Sequence, residues 1–237
     1  MEVKPMSKPE EKKSCQIEIP FSLEHASVVK RLRLPKSDGR LEEMVSELFE
    51  KSSSIARMRA VYLVSRARVI DRETVDIDGA SFTSRALSRN LIDQETVFPF
   101  IATVGRELDE FSAPAGNVMM QFSLDWIKTM ALVSAVDYLA EFLKAKYRLG
   151  DLAHMNPGEI EDWPITAQKP LFDLFHGAEK RVGVTLTQGG LMKPIKSRSG
   201  ILFPNEKGFV SCLLCTQQRC PGRRAHYSPE KVKEFLD

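Results

Sequence analysis

The spacing of apolar positions predicts a chain in which helices and strands intermix. Short alternating or apolar stretches predict strands at residues 16–22, 57–69, 75–79, 97–104, 182–186 and 200–203. Apolar residues at threes and fours predict helices after Asp38, over 82–91 and 107–111, and after Thr166. Ser228 and Pro229 predict the N-cap and first position of a last short helix. Because these elements lack a regular strand–helix–strand rhythm, we expect an α+β fold with a mixed or antiparallel sheet.

The longest helical pattern lies near the middle of the chain. Its apolar positions recur at threes and fours as Phe122, Trp126, Met130, Val133, Val136, Leu139 and Leu143. Apolar residues also occupy its other faces, so we expect a buried helix that forms the spine of the core and ends at Gly150. Asp125, Lys128, Asp137 and Glu141 interrupt the pattern, which argues against a membrane span.

The composition is that of a globular protein. At 237 residues the chain suits one domain of generous size or one domain with a small appendage, and its 43% hydrophobic content excludes wholesale disorder. Residues 1–15 are rich in lysine and have no apolar stretch behind them, so we expect a mobile tail rather than a signal peptide. The expected compartment is therefore the cytoplasm, where thiols stay reduced.

Positive charge is concentrated towards the end of the sequence. The net charge is only +2, but from Glu179 onward 11 Lys and Arg residues face 5 Asp and Glu residues. This basic end could steer an anionic ligand or an acidic partner protein, or it could be a solvated face. Because aromatic residues are not interleaved with the basic ones, we expect no nucleic-acid partner.

Three of the four cysteines form a compact cluster, Cys212-x2-Cys215-x4-Cys220. A CxxC pair with a third nearby thiolate is typical of a zinc or iron–sulfur site, and the spacing does not separate the two. Arg223 and Arg224 would favour the thiolate forms, as would Arg219. The fourth ligand could be His226, Cys15 or an exogenous group. A dithiol redox pair and idle thiols are the alternatives.

A run of residues upstream of this cluster resembles a known family. The seven residues fit the pattern LTxxxxMxPxxSxSG: Leu186, Thr187, Met192, Pro194, Ser197, Ser199 and Gly200. The stretch ATVGRELDEF at 102–111 is similar to a second family pattern, ATxGxELE, and Pro157-Gly158 to a third. Together they resemble the activation domain of cobalamin-dependent methionine synthase, over roughly residues 98–209. No nucleophile-elbow motif surrounds Ser197 or Ser199.

The resemblance implies where S-adenosylmethionine would bind. The cofactor-binding residues it indicates are His154, Asn156, Pro157, Gly158, Glu159, Gly208 and Phe209. The family pattern there is Arg-x-x-Pro-Gly-Tyr, whereas this chain has His154 in place of the arginine and Glu159 in place of the tyrosine. An arginine can fork onto the methionine carboxylate in a way that a neutral histidine cannot.

The resemblance also implies a function. We expect a free-standing relative of the activation domain, with that domain at 16–210 and a basic cysteine-rich segment with a short helix at 211–237. It would reactivate a corrinoid protein, such as methionine synthase or a related methyltransferase, by supporting reductive methylation of cob(II)alamin with S-adenosylmethionine, together with an electron donor. The alternative is a non-catalytic partner of a corrinoid protein with a structural zinc site. We expect no membrane association in either case.

Overall fold

The structure, a computed structural model, describes residues 14–32, 39–206, 208–218, 220 and 223–237. The predicted tail up to residue 13, the predicted cap Asp38 and Arg219 lie outside these residues. The described strands are β1 Cys15–Glu18, β2 Arg59–Tyr62, β3 Ser65–Val69, β4 Thr74–Ile77, β5 Ala80–Thr83, β6 Thr96–Thr103, β7 Leu152–Met155, β8 Thr185–Leu186, β9 Met192–Lys193 and β10 Ser197–Pro204. The described α-helices are α1 His25–Leu32, α2 Gly39–Ile55, α3 Arg85–Leu91, α4 Arg106–Glu110, α5 Val118–Tyr147, α6 Gln168–Asp173 and α7 Pro229–Leu236.

Strand β6 is the centre of an eight-stranded sheet. It pairs with β2, β3 and β10, and every pairing of that sheet is antiparallel. Strand β10 lies between β6 and β7, and β7 has no other partner among the described strands. Strands β8 and β9 form a separate two-stranded hairpin. The prediction of an α+β fold with an antiparallel sheet is confirmed.

Both faces of the sheet are covered, which explains why β6 is apolar almost throughout. On one face Phe98, Phe100 and Ala102 pack against helix α5. On the other face Val97 and Ile101 join a cluster that includes Trp163 and residues of α3 and α6. A strand buried on both sides reads as a continuous apolar run, because alternate side chains point into two different cores.

Helix α5 confirms the predicted long buried helix, with two corrections. The N-terminal part of the predicted apolar face is wrong, since Phe122 is 51% exposed. The buried stripe is instead Leu124, Ile127, Ala131, Leu132, Ala135, Val136, Leu139 and Leu143, because the helix first packs on α1 and α2 and only then reaches the sheet. The helix ends at Tyr147 rather than Gly150, because Arg148 takes a left-handed conformation and its N–H bonds to the Lys144 carbonyl.

Helix α2 continues to Ile55 through the serines at 52–54, and Ser52 is fully buried. Two local predictions are wrong in their bounds. The predicted helix over 82–91 begins only at Arg85, with Ser84 as its N-cap, so Phe82 belongs to β5. The predicted strand over 182–186 shrinks to Thr185–Leu186, because Ala178–Val182 is a 3-10 turn that ends at Gly183 with φ of 75°.

None of the described helices, including the 30-residue α5, has both the length and the apolar character that crossing a membrane requires.

Candidate functional site

The loop after strand β7 is organised by Asn156. Its Nδ2 donates to the carbonyl of Ser199 on β10 at 2.8 Å, which turns its Oδ1 towards the ring of His154, 2.6 Å from Nδ1. Since that oxygen can only accept, Nδ1 of His154 carries the proton and Nε2 is left as an acceptor. His154 and Asn156 are both 7% exposed. These hydrogen bonds hold the two buried side chains in place, and we call this pair, His154 and Asn156, the floor of the loop.

His154 is held neutral. Burial lowers its pKa to about 3, and the positive charges of Arg224 and Arg198 act in the same direction. Its ring also contacts Phe100 edge-on, at 6.4 Å between centroids. Near pH 7 this position presents an uncharged imidazole whose Nε2 can accept a hydrogen bond.

The Pro157-Gly158 turn depends on its glycine. Gly158 has φ of +84°, and its N–H donates to the carbonyl of Trp163 at 2.8 Å. A Cβ there would lie 3.0 Å from Cδ1 of Ile165. Glu159 follows the turn, and its Oε2 is buried without a hydrogen-bond partner among the described residues. Such an orphaned buried acceptor suits a ligand donor or an ordered water.

Asp162, which the sequence reasoning missed, anchors this loop to helix α3. Its Oδ1 accepts from the backbone N–H of Arg85 at 3.2 Å and its Oδ2 from that of Ala86 at 3.0 Å. The hydroxyl of Ser84, the N-cap of α3, also donates to it. The carboxylate thus satisfies N–H groups at the start of a helix that is distant in sequence. Nothing in the local sequence marks this long-range cap.

The serines and the glycine of the SxSG pattern hold β10 in the sheet. The hydroxyl of Ser197 donates to Oγ1 of Thr103 at 3.0 Å, and Nε2 of Gln168 donates to Oγ of Ser199 at 3.1 Å. A Cβ on Gly200 would lie only 2.4 Å from the carbonyl oxygen of Met155. These residues therefore position the loop at His154 by fixing the strand beside it.

Phe209 lies apart from the His154 ring. Phe209 is 2% exposed and packs its ring on Phe203 and Phe235, at 6.3 and 5.0 Å between centroids. That cluster is on the α3 and α6 face of the sheet, whereas the His154 ring meets Phe100 on the α5 face. The structure thus brings together His154, Asn156, Pro157, Gly158 and Glu159, and it places Phe209 on the opposite face.

The cysteine segment is folded around a guanidinium group. Arg223 donates to the carbonyls of Cys212 and Cys215 at 3.3 Å each, to that of Ala225 at 3.1 Å and to that of Gln217. The backbone N–H of Arg224 lies 3.4 Å from Sγ of Cys212. Cys212 and Cys215 are half-buried, Cys220 is exposed, and none of them forms a disulfide.

The described residues do not display a ready metal-binding arrangement. Within them, no three His, Cys, Asp or Glu side chains are grouped so as to hold an ion. Cys15 packs on the α5 face of the sheet, whereas Cys215 packs on the opposite face, so these two thiols are separated by the sheet. His226 is exposed. The metal site therefore rests on the spacing of its thiols and stays a prediction.

Arg198 and Arg224 lie beside the loop from two different elements. Arg198 is the residue between Ser197 and Ser199 on β10, and Arg224 follows the guanidinium-centred turn of the cysteine segment. Both act electrostatically on His154 and also on Asp137 of α5. Asp137 is exposed, yet neighbouring elements partly desolvate its carboxyl; this raises its pKa, and the two arginines oppose the rise. Two cations thus act on one carboxylate and one neutral imidazole from two different elements.

Comparisons with known proteins bear on the fold. No family model and no curated protein matches this chain. Among solved structures, the crystal structure of the MetH reactivation domain bound to AdoHcy is similar, with a TM-score of 0.61 at 13% sequence identity. The match covers 84% of this chain and 81% of that one. At this identity the likeness establishes that the two chains share a fold.

Proposed function

We propose that this chain reactivates a corrinoid protein by supporting reductive methylation of cob(II)alamin with S-adenosylmethionine, in methionine synthesis or a related corrinoid methyltransferase system. The observation that carries this proposal is the shared fold with the MetH reactivation domain over most of both chains. The LTxxxxMxPxxSxSG motif, which belongs to the sequence and does not depend on the fold comparison, supports the same assignment. The chain would act as an activation domain with an added cysteine-rich segment.

The loop from His154 to Glu159 is the proposed binding site for the adenosyl ligand. Its floor is preorganised by the bonds of Asn156 to His154 and Ser199, so ordering it on binding costs little free energy. Nε2 of His154 and the unpaired Oε2 of Glu159 are the acceptors that this chain offers to ligand donors. The ligand supplies the methyl group, and the protein binds and orients it.

The proposed partner is the corrinoid-binding part of a methyltransferase, with a separate electron donor. The basic end of the chain would attract an acidic domain, and such steering is screened within about 10 Å at 0.1 M salt. We therefore expect a transient, salt-sensitive complex. The three thiols would hold a zinc ion or an iron–sulfur cluster.

A second candidate function is a non-catalytic partner of a corrinoid protein with a structural zinc site. The observation that favours it is the replacement of the family's arginine by a buried, neutral His154. Loss of that cation would weaken a carboxylate contact by roughly 1–3 kcal/mol, unless another residue supplies the charge. The two candidates therefore differ in whether an adenosyl ligand is bound.

The deciding experiment follows cob(II)alamin by absorbance with a reductant, S-adenosylmethionine and a candidate corrinoid protein. The proposal expects methylcobalamin to form faster with this chain than without it. Asn156→Ala should abolish the gain, because it removes the floor of the loop, whereas the exposed Arg106→Ala should not. If calorimetry shows no binding of S-adenosylmethionine or AdoHcy at millimolar ligand but the corrinoid complex forms, the non-catalytic candidate is supported. Equal rates with and without the chain across corrinoid partners would reject reactivation.

A further inference from the structure

We propose that Arg198 and Arg224 together bind the carboxylate of the ligand's amino-acid end, so that the cysteine-rich segment forms one wall of the ligand site. This inference rests on the proposed function, because it assumes that the loop at His154 binds an adenosyl thioether or sulfonium that carries an amino acid. It assigns a ligand-binding role to a segment that lies outside the resemblance to methionine synthase.

The register of the sheet places Arg198 on the same face as His154. Leu202 is the β10 partner of His154, and side chains two and four residues apart along a strand share a face. Arg198 is four residues before Leu202, with only Gly200 between them on that face. Because Gly200 has no side chain, nothing from β10 itself separates the guanidinium of Arg198 from the imidazole.

Arg224 of the cysteine segment acts electrostatically on the same two groups as Arg198, His154 and Asp137. Its backbone is fixed by the contact of its N–H with Sγ of Cys212, and the preceding Arg223 holds four carbonyls of the same turn. Arg224 itself is exposed. The segment thus presents Arg224 from a braced backbone while leaving its guanidinium accessible to a ligand.

The charges at this site are complementary to an amino-acid zwitterion. Arg198 and Arg224 act on Asp137 through space rather than through a hydrogen bond, and neither side chain bonds to an acceptor among the described residues. Two guanidinium groups that act on the same histidine and carboxylate, without such an acceptor, are suited to a ligand carboxylate, which each can bind with charge-assisted hydrogen bonds. The Asp137 carboxylate and Nε2 of His154 are acceptors for the neighbouring ammonium group.

This arrangement also explains why position 154 has a histidine instead of the arginine of the family pattern. A guanidinium at position 154 would be buried beside the two existing cations, which like-charge repulsion and desolvation both disfavour. A neutral histidine avoids that cost and still offers its Nε2 as a hydrogen-bond acceptor. The positive charge absent from the loop is then supplied by β10 and by the segment that follows it.

The test measures AdoHcy and 5'-methylthioadenosine binding by calorimetry, since the second ligand keeps the adenosyl thioether but lacks the amino-acid end. Arg198→Ala and Arg224→Ala should each weaken AdoHcy binding by about 10-fold or more and leave 5'-methylthioadenosine unaffected. Arg106→Ala is the matched control, because its guanidinium is exposed and paired with Glu110 at 2.9 Å. Urea unfolding should show all three variants folded.

Each other outcome has a defined meaning. Unchanged AdoHcy affinity in both arginine variants would overturn this inference while leaving the ligand assignment intact. A loss with Arg198→Ala but none with Arg224→Ala would remove the cysteine segment from the site. Wild-type binding of 5'-methylthioadenosine that is as tight as binding of AdoHcy would also overturn it, because the carboxylate would then contribute nothing. If the wild type binds neither ligand, the proposed adenosyl site is rejected and this inference falls with it.

Discussion

Asp109 and Lys196 are joined by a hydrogen bond from the backbone N–H of Lys196 to Oδ1 of Asp109, 2.9 Å long and spanning 87 positions. The other carboxylate oxygen accepts from the N–H of Ile195 at 3.0 Å. One side chain from the GRELDEF stretch therefore holds the segment between Pro194 and Ser197. Two of the three sequence patterns that carry the resemblance thus meet in space, and their link is structural.

Asp109→Asn should destabilise the protein by about 1–3 kcal/mol, because one carboxylate oxygen would become an N–H₂ group facing a backbone N–H. Urea unfolding monitored by circular dichroism measures the loss. Glu110→Gln, one position away and exposed with only a surface ion pair to Arg106, should change stability by under about 0.5 kcal/mol. Equal effects of the two substitutions would contradict the assigned role of Asp109.

Lys128→Met should cost about 2–4 kcal/mol. The buried ammonium of Lys128 donates to the carbonyls of Asp109 and Phe111, at 2.7 and 2.6 Å, and methionine would leave both acceptors without it. Burial lowers the pKa of this lysine, as expected of an ammonium removed from water. The exposed Lys169→Met is the control and should unfold at nearly the wild-type urea concentration.

Gly200→Ala should destabilise the sheet and the loop at 154–159 together. The new methyl group would meet the Met155 carbonyl at 2.4 Å and Nδ2 of Asn156 at 2.6 Å, so β7 would have to move. We expect a loss of about 2 kcal/mol or more, with a weakened His154–Asn156 contact visible in the NMR signals of the imidazole. Gly150→Ala has open space around its Cβ and should be nearly neutral. A fully stable Gly200→Ala variant would show that the strands do not pack this closely.

The free energy of unfolding should decrease as pH falls from about 6.5 to about 3, because of the buried His154. The folded state keeps the imidazole neutral down to about pH 3, whereas the unfolded imidazole takes up a proton near pH 6.5. The unfolded chain therefore binds more protons between these values, and the free energy of unfolding decreases as pH falls through them. From pH 7.5 to pH 5 the contribution is about 2 kcal/mol. His154→Gln should lose correspondingly less over the same interval, and an identical pH dependence in both proteins would contradict the buried neutral histidine.

The metal prediction has a control within the chain. We expect about one zinc ion or iron–sulfur centre per chain, held by Cys212, Cys215 and Cys220, and Cys215→Ser should remove it. Cys15→Ser should retain it, because Cys15 packs on the other face of the sheet. Elemental analysis of protein purified without chelators, together with its absorbance under anaerobic conditions, distinguishes zinc from iron. The absence of both metals from the wild type would reject the site.

The long helix and the β6 strand could be predicted from the sequence because their apolar patterns are long. The pattern did not show that Phe122 would be exposed, since that depends on where α5 leaves the sheet for α1 and α2. The strand expected at 182–186 is only Thr185–Leu186, because the left-handed Gly183 ends a 3-10 turn just before it. Local alternation does not encode such backbone reversals.

The site was predictable only in part for a similar reason. Its loop could be proposed because Pro157 and Gly158 are adjacent and match a family pattern, and its ligand-binding role stays a prediction. Asp162 could not be identified, since its partners are on α3, more than seventy positions away. Arg198 and Arg224 were visible as part of a basic region, but only the register of β10 shows which face Arg198 occupies.

The position of β10 has a consequence for synthesis on the ribosome. This strand enters the sheet between β6 and β7, both of which precede it in the chain. While the polypeptide is being elongated, β7 has no neighbour in the sheet, and one edge of β6 stays open until residues 197–204 leave the exit tunnel. The nascent chain therefore carries an open β6 edge between the synthesis of residue 103 and that of residue 204, and an unpaired β7 as well after residue 155. This is a period of exposure to misassociation. Cellular yield of this protein should depend on holdase chaperones more than its final thermodynamic stability would suggest.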